Sequence, residues 1–337
     1  MAQSLAAFNT FGVEATCDNL FRFTSEQEIQ DWLAGMPIPP KEFFVLGGGS
    51  NLLLLGHVPL TFLKADIQGV DYQESGDEVL VTAGAGVNWH DLVLDSIDKG
   101  YAGLENLSLI PGNVGAAPIQ NIGAYGVELE QLFVSLNAVD LFSGEKRVFE
   151  HEACEFAYRD SVFKQRHRGQ YMITSVTLRL RKKPELVLTY GPLSALKDRC
   201  DELTPADVSN EVIRIRQSKL PDPQKLGNAG SFFKNPVISK KAFKRLQTNY
   251  PEVVAYPVDD SHMKLAAGWL IDQCGLKGYR QGDAGVHQQQ ALVLVNHGDA
   301  SGRDIVQLAG HVRDTVLAKF EVRLEPEVWI IGEQDIF

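Results

Sequence analysis

The chain has 337 residues, of which 44% are hydrophobic and 22% charged, as in an ordinary globular protein of about two domains. It contains 32 lysines and arginines and 43 aspartates and glutamates, and the formal net charge of -11 disfavours binding to a nucleic acid or a membrane surface. We expect anionic ligands to be small molecules that meet a few local cations. No Lys or Arg precedes Arg22, and no apolar run approaches the roughly 20 residues of a membrane span, so we expect a cytoplasmic protein.

The four cysteines lie far apart in the sequence, and no two of them form a C-x-x-C pair. We expect reduced, buried thiols at these four positions, which are Cys17, Cys154, Cys200 and Cys274. The eight histidines show no metal-ligand spacing, so we expect no metal site.

The first third of the chain alternates short predicted helices and strands. Ser25 and Glu28 have the spacing of a capping box, which predicts a helix ending near Gly35. Asn88 predicts the start of a second helix, which runs to about Lys99. Short β-branched and apolar runs predict strands at 43–46, 52–55, 60–64 and 78–82.

Residues 104–126 have neither the helical nor the strand period and are rich in Gly, Asn, Ala and Pro. A loop of this length inside a compact domain is usually functional or disordered, and its low charge favours an ordered binding loop. The remainder predicts strands at 132–142, 146–149, 171–180 and 291–296, and helices at about 205–218, 239–249, 261–274 and 301–320.

Three consecutive glycines and two polar residues follow the strand predicted at 43–46. Gly47, Gly48 and Gly49 allow a close backbone approach to a ligand, and Ser50 and Asn51 add side-chain donors. The pattern fits a phosphate-binding turn, but a tight strand connection without a ligand explains it equally well. It matches neither G-x-G-x-x-G nor a Walker loop.

The second candidate segment is 110–126, whose small residues allow a large flat ligand to lie against the main chain. Gln120 and Asn121 offer amides suited to the edge of an isoalloxazine ring. No His or Cys stands between Gly103 and Gly144, so we expect any flavin to be bound non-covalently. Together, the two segments resemble the flavin-binding halves of the vanillyl-alcohol-oxidase/PCMH superfamily.

Further motifs narrow the resemblance to the UDP-N-acetylenolpyruvoylglucosamine reductase family over nearly the whole chain, in the longer subtype with a tyrosine-bearing loop. These motifs, in the family's order, are YRDSVFK at 158–164, LTYG at 188–191, KLPDP at 219–223, GNAGSFFKNP at 227–236, HQQQALVL at 287–294 and LEPEV at 324–328. The resemblance implies FAD as cofactor, NADPH as co-substrate, and a role in peptidoglycan precursor synthesis. The flavin contacts that it implies are Gly47, Gly48, Gly49, Ser50, Asn51, Pro111, Gly115, Gln120, Asn121, Ile122, Gly123, Ala124 and Ile173.

The resemblance also implies catalytic roles. Ser231 corresponds to the family's proton donor, and Arg159 to the residue that binds the substrate carboxylate. Glu325 and Glu327 are both candidates for the carboxylate that polarises the substrate, and Glu327 is chosen from its position in the motif. Implied contacts with the UDP-sugar are Tyr190, Lys219, Asn235, Tyr256 and Gln290, with Arg216 as a further cation. Trp329 stands where the family pattern leads us to expect Arg.

The resemblance implies an α+β fold, with a two-lobed FAD-binding fold of PCMH/VAO type and a smaller α+β substrate-binding domain. We expect one FAD lobe at 1–65 with 321–337, a second at 66–215, and the substrate-binding domain at 216–320. We expect a monomer acting on small molecules. Two alternatives stay open: another oxidase or dehydrogenase with the same flavin fold, and a nucleotide-sugar-binding module without catalysis.

Overall fold

The computed structural model describes residues 2–36, 43–198 and 202–332, which separate into two compact units. Unit 1 comprises Met1–Cys17, Gly49–Pro59 and Ser218–Phe337, and unit 2 comprises Asp18–Gly48 and Leu60–Gln217. The three-part division into domains stays a prediction. Cys17, Cys154 and Cys274 carry reduced thiols; the first two are buried as predicted and Cys274 is half-buried, whereas Cys200 lies outside the described residues.

Within the described residues the strands are numbered in chain order. They are β1 (Gln3–Ser4), β2 (Thr16–Phe23), β3 (Phe43–Leu46), β4 (Leu52–Leu54), β5 (His57–Ala65), β6 (Val70–Ser75), β7 (Glu78–Gly84), β8 (Gly123–Ala124), β9 (Val127–Glu128), β10 (Phe133–Asp140), β11 (Lys146–Glu150), β12 (Tyr171–Arg181), β13 (Gly227–Ser231), β14 (Val237–Ser239), β15 (Ala255–Pro257), β16 (His262–Leu265), β17 (Arg280–Gln281), β18 (Ala284–Val286), β19 (Val293–Asn296) and β20 (Trp329–Ile331).

The α-helices are numbered in the same way. They are α1 (Glu26–Ala34), α2 (Trp89–Asp98), α3 (Pro205–Lys219), α4 (Lys240–Asn249), α5 (Ala267–Gln273) and α6 (Gly302–Phe320). Among the described residues, no helix combines the length and the apolar character that crossing a membrane requires.

Unit 2 is built around an antiparallel sheet with the strand order β11-β10-β12-β7-β6. In β7, Val79, Val81 and Ala83 are fully buried because alternate side chains of a strand point to the same face. Trp89, at the start of α2, belongs to the same core. The loop 104–126 adds buried apolar side chains to this core, which keeps a segment with few ladder hydrogen bonds in place.

Unit 1 contains the sheet β13-β19-β18-β17, and α6 packs against β18 and β19. Helix α6 begins at a capping box between Ser301 and Asp304. The apolar stripe predicted from its sequence is fully buried, at Ile305, Leu308, Ala309, Val312 and Val316. The parallel pair β4-β20 joins the end of the described chain to the segment Gly49–Pro59.

One helix prediction is wrong in part. Residues 261–266 were predicted to be helical, but His262–Leu265 form β16, the central strand of the sheet β14-β16-β15. The carboxylate of Asp259 accepts hydrogen bonds from the backbone of Ser261 (2.6 Å) and His262 (2.8 Å), and this turn competes with a helix start. The other predicted helices are found within a few residues of their expected ends, whereas no prediction covered β2 or β6.

Candidate active site

The two glycine-rich segments lie against each other in unit 2. A Cβ atom at Gly47 would come 3.0 Å from Ala116 Cβ, and one at Gly48 would come 2.8 Å from Gly112 Cα. A Cβ atom at Gly115 would come 2.6 Å from Ala85 Cβ. Close packing therefore leaves no room for a side chain at Gly48 or Gly115 and little room for one at Gly47. Two segments more than 60 residues apart in sequence form one surface of small residues.

A partly buried ion pair supports the first of these segments. Lys64 Nζ donates to the carbonyl oxygen of Gly47 at 3.4 Å and lies 2.8 Å from the carboxylate of Asp66, which also binds Arg22 at 2.5 Å. Burial acts to raise the pKa of Asp66, but the hydrogen bonds from Lys64 and Arg22 outweigh it and hold that pKa below its ordinary value. The carboxylate is thus kept ionised and holds Lys64 at the glycine turn.

The rest of the turn lies in unit 1, where packing again explains the glycine. Gly49 has φ +69°, and a Cβ atom there would come 2.0 Å from the carbonyl oxygen of Phe8. The Asn51 side chain donates to the carbonyl oxygen of Glu327 at 3.4 Å, and the backbone carbonyl oxygen of Asn51 accepts from the Trp329 amide at 3.0 Å. Asn51 therefore contacts the backbone of the predicted catalytic carboxylate, a contact that its sequence position did not indicate.

The second segment is held from within by the side chain of Asn121, which is fully buried with φ +43°. Its amide nitrogen donates to Glu128 Oε2 (3.1 Å) and to the carbonyl oxygen of Ala157 (3.2 Å), and its oxygen accepts from the Glu130 amide (3.0 Å). These bonds give Asn121 a structural role. Of the other predicted flavin contacts, Ile122 and Ile173 are buried, Pro111 is exposed, and Gln120, Gly123 and Ala124 are half-buried.

Arg159 lies along the same segment. Its backbone has φ +56°, and its guanidinium donates to the carbonyl oxygens of Asn121 (3.3 Å) and Gly123 (2.6 Å). The Lys164 side chain donates to the carbonyl oxygen of Arg159 at 3.1 Å and steadies the left-handed turn. The predicted carboxylate-binding residue is thus fixed beside the predicted flavin loop by hydrogen bonds within unit 2.

A second arginine of unit 2, Arg216, interacts electrostatically with Arg159, and the two form a cationic region. Within the described residues, Nε of Arg216 is buried and makes no hydrogen bond. Burial lowers the pKa of Arg216, and the positive charge of Arg159 adds to that effect, while Tyr125 opposes it. Burial also raises the pKa of Tyr125. The ring of Tyr190, which is 56% exposed, meets the Tyr125 ring edge-on with centroids 5.9 Å apart. Two cations and two phenols thus form one group suited to an anion.

In unit 1, backbone pairing brings the two other predicted catalytic residues together. Ser231 ends β13 opposite Val293, and the preceding Gly230 has φ +70°. The next residue, Phe232, accepts a hydrogen bond at its carbonyl oxygen from the Glu327 amide at 2.8 Å. Glu327 is half-buried whereas Glu325 is exposed, and this difference favours Glu327 as the functional carboxylate.

Asn235 and Gln290 converge on the start of α5. The oxygen of the Asn235 side chain accepts from the Ala267 amide at 3.0 Å. A Cβ atom at the following residue, Gly268, would lie 3.5 Å from Gln290 Oε1. His287 Nδ1 accepts from the Gln290 amide at 3.2 Å and closes the turn that carries this glutamine. Two predicted substrate amides therefore occupy neighbouring positions in unit 1.

The remaining two predicted substrate residues are exposed. Tyr256 lies on β15 opposite Lys264 of β16 and is 55% exposed, and Lys219 is the last residue of α3. Sequence reasoning missed two residues that shape the region in unit 2. They are Asn106, whose amide binds two loop carbonyls, and His90, whose Nδ1 accepts from the Leu109 amide. Each is a polar residue beside one charged and one apolar neighbour, a pattern that does not specify its hydrogen-bond partner.

Across the described ranges, no three His, Cys, Asp or Glu side chains gather as a metal-binding group. The polar groups of the predicted site residues in both units are instead amides, hydroxyls, carboxylates and cations. Such a set suits an organic anion and a large cofactor held by main-chain contacts.

Comparisons with known proteins agree with this chemistry. Residues 18–148 match an FAD binding domain, and residues 222–331 match the C-terminal domain of UDP-N-acetylenolpyruvoylglucosamine reductase. The reductase of that name from Flavobacterium johnsoniae is 46% identical to this chain, and the match covers 97% of this chain and 98% of the relative. The reductase from Pseudomonas aeruginosa is 48% identical, and the match covers 96% of each chain.

The fold is similar to the crystal structure of UDP-N-acetylenolpyruvylglucosamine reductase from Thermus caldophilus, with a TM-score of 0.69. That match covers 98% of this chain and 100% of the solved one at 24% identity, and it bears on the fold alone. The nearly complete coverage at 46% identity is decisive. The chain belongs to the UDP-N-acetylenolpyruvoylglucosamine reductase family.

Proposed function

We propose that the protein catalyses the NADPH-dependent reduction of UDP-N-acetylenolpyruvoylglucosamine to UDP-N-acetylmuramate, a step in making peptidoglycan precursors. The observation that carries this proposal is the backbone pairing that sets Glu327 beside the residue following Ser231. A hydroxyl and a carboxylate fixed on paired main chains suit proton delivery to a polarised carbon–carbon double bond.

The residues of unit 2 fit FAD. Gly47, Gly48, Gly112 and Gly115 leave main chain without side chains at four positions of this surface, as a large flat cofactor requires. FAD held there would supply the hydride-transfer chemistry that links NADPH to C3 of the enolpyruvyl group. Arg159 holds the loop carbonyls of Asn121 and Gly123, and so keeps this surface in shape.

Protonation at C2 is assigned to Ser231. Hydride addition at C3 leaves negative charge on C2 and on the substrate carboxylate, so the acceptor of the proton is strongly basic. A serine hydroxyl serves as the acid only towards such an acceptor. Glu327 polarises the enolpyruvyl group through a hydrogen bond. Its neighbour Glu325 is exposed and has no assigned role.

Anion binding is assigned to the cationic region of unit 2. Arg159 binds the substrate carboxylate and stabilises charge as it develops, and Arg216, whose Nε atom is buried, adds a second positive charge. In a chain with a net charge of -11, such local cations are required for an anionic substrate. Tyr190, Lys219, Asn235, Tyr256 and Gln290 are assigned to the UDP-sugar.

The proposal extends to the protein's setting. We assign it to the cytoplasm, where NADPH and the nucleotide sugar are dissolved, and we propose that it acts as a monomer with non-covalently bound FAD. Ser50, Asn51, Pro111, Gln120, Ile122, Ala124 and Ile173 remain proposed flavin contacts.

Two additions to the purified protein test the function. Under anaerobic conditions, NADPH should bleach the visible flavin absorbance, and UDP-N-acetylenolpyruvoylglucosamine should restore it with formation of UDP-N-acetylmuramate. A flavin restored by dioxygen or a sugar lactone, but not by the nucleotide sugar, would contradict the proposal and favour another oxidase. A colourless protein that binds the nucleotide sugar would favour a binding module.

A further inference from the structure

Asn106 lies at the centre of unit 2 and is only 1% exposed. The short turn that carries it is fixed on each side. Glu105 Oε2 accepts from the Gly103 amide at 2.6 Å, and the Trp89 indole donates to the carbonyl oxygen of Leu107 at 3.0 Å. Asn106 therefore projects from a rigid turn, and its amide occupies a defined position.

That amide binds two segments that are more than 60 residues apart in the sequence. Its nitrogen donates to the carbonyl oxygen of Tyr125 at 2.9 Å and to that of Val187, also at 2.9 Å. The first carbonyl belongs to the loop 104–126, which carries predicted flavin contacts, and the second lies three residues before Tyr190. Both hydrogens of the amide are used, so the side chain acts as a double clamp.

The packing around the clamp shows what it holds. Gly126 has φ +86°, and a Cβ atom there would lie 3.4 Å from Val187 Cγ1 and 3.6 Å from Tyr190 Cβ. The rings of Tyr125 and Tyr190 meet edge-on, at 87°. The segment 187–190 thus rests on the main chain of Tyr125 and Gly126, and Asn106 ties these two layers together.

Stability by itself gives a weak reason for an amide at this position. Within the described residues, the Asn106 oxygen Oδ1 is buried and accepts no hydrogen bond. A buried acceptor without a partner opposes folding and offsets much of what the two donated bonds contribute. An amide here is best explained by the geometry that it imposes on the two carbonyls.

We propose that Asn106 is a positioning residue that sets the place of Tyr190 by tying Val187 to the flavin loop at Tyr125. Tyr190 is more than half exposed, and its ring contact with Tyr125 does not fix its hydroxyl. The backbone tie three residues earlier determines where that hydroxyl points. The identity of the ligand rests on the proposed function, but the mechanical link does not.

Two substitutions of similar volume remove the clamp. Asn106→Leu provides no donor, and Asn106→Asp places a carboxylate against two carbonyl oxygens. Either should raise the KM for the nucleotide sugar about tenfold, as expected from the loss of one or two hydrogen bonds, and change kcat much less. Ser108→Ala is the matched control, because Ser108 is equally buried and binds Glu105 and Ser209 rather than the two clamped carbonyls. The control should leave the KM near the wild-type value.

A double-mutant cycle tests whether the effect passes through Tyr190. In a Tyr190→Phe background, Asn106→Leu should change the KM less than twofold, because the hydroxyl whose position it sets is already gone. Fully additive effects of the two substitutions would overturn the proposal. Equal KM changes in Asn106→Leu and Ser108→Ala would also overturn it, since they would indicate a general loss of packing.

Amide hydrogen exchange gives a readout that needs no substrate. With Asn106→Leu or Asn106→Asp, exchange at 187–190 should rise about tenfold or more while exchange in α3 stays unchanged. Ser108→Ala should lack this local rise. Unchanged exchange at 187–190 in a folded variant would overturn the link. If the wild-type protein does not turn over the nucleotide sugar, the proposed function fails, while the exchange contrast still decides whether Asn106 holds the Tyr190 segment.

Discussion

The two units hold their functional residues in opposite ways. In unit 2, side chains hold the main chain: Asn106 and Arg159 donate to carbonyl oxygens of the loop 104–126, and Asn121, within that loop, donates to the carbonyl oxygen of Ala157. In unit 1, paired backbones place Ser231 and Glu327, and the Asn51 side chain adds one hydrogen bond to the carbonyl oxygen of Glu327. An irregular segment has no ladder partners, so its buried carbonyls need side-chain donors.

This difference separates the expected consequences of substitution. Removing a side chain in the loop region of unit 2 frees backbone groups and alters the shape of the site. Removing the functional group of Ser231 or Glu327 leaves the backbone pairs in place. Substitutions of Ser231 and Glu327 in unit 1 should therefore change mainly the rate of the chemical step. Substitutions in the loop region of unit 2 should change mainly the shape of the site and the affinity for ligands.

The largest effect is expected for Ser231→Ala. The half-reaction with NADPH needs no proton delivered to carbon and should keep nearly its normal rate. The half-reaction with the enolpyruvyl substrate should slow by about 10²–10⁴-fold, as expected when a positioned general acid is lost. Stopped-flow flavin absorbance, recorded separately for each half-reaction, measures both rates.

Ser231→Cys keeps a proton on a longer and more acidic side chain, and it should recover part of the lost rate. Equal slowing of both half-reactions in the alanine variant would point to a defect in folding or flavin binding. A normal rate with the enolpyruvyl substrate would remove Ser231 from the mechanism.

A pair of matched variants, Glu327→Gln and Glu325→Gln, tests the choice of carboxylate. Glu327→Gln should lower kcat about 10²-fold, because a neutral amide polarises the substrate less than a carboxylate does. Glu325→Gln should stay within about twofold of the wild type, since its side chain is exposed. Steady-state kinetics at fixed NADPH separates the two, and the reverse order would transfer the role to Glu325.

Asp66→Asn tests the support of the glycine turn in unit 2. It removes a partly buried partner of Lys64 and should lower the free energy of unfolding by about 1–2 kcal/mol at neutral pH, between the values for exposed and buried pairs. The pKa of Asp66 is lowered in the folded protein, so its contribution is complete above the ordinary carboxyl pKa. It is lost as the pH falls through the folded-state pKa.

Urea unfolding of the Asp66 variant and the wild type at several pH values should therefore show a difference that shrinks towards acid pH. FAD should also dissociate more readily from the variant, because Lys64 contacts the carbonyl oxygen of Gly47. A stability difference that stays constant with pH would mean that the ion pair is not its source.

The smallest effect is expected for Tyr190→Phe. Loss of one phenol hydrogen bond to the diphosphate should raise the KM for the nucleotide sugar by the equivalent of roughly 0.5–1.5 kcal/mol. The ring contact with Tyr125 is retained in phenylalanine, so the segment should keep its place. The rate of flavin reduction by NADPH serves as the control and should be nearly unchanged. An unchanged KM would make the Tyr190 segment a structural element only.

Local signals predicted the helices well and missed many of the short strands. The capping residues Ser25, Asn88 and Ser301 begin the helices expected of them, because a cap needs only the next three residues. The sequence failed at His262–Leu265, where pairing with strands on both sides prevailed over a helical pattern. Such pairing depends on partners that no local window contains.

By itself, the sequence determined the family, the glycine-rich segments and the identity of the candidate catalytic residues. These depend on residue types and their order along the chain. Only the tertiary structure decided where those residues act: Asn51 binds the backbone of Glu327, Asn106 binds two distant carbonyls, and Arg216 lies within electrostatic range of Arg159 and Tyr125. A side-chain amide or guanidinium accepts many partners, and the folded backbone selects among them by placing carbonyls and charges within reach.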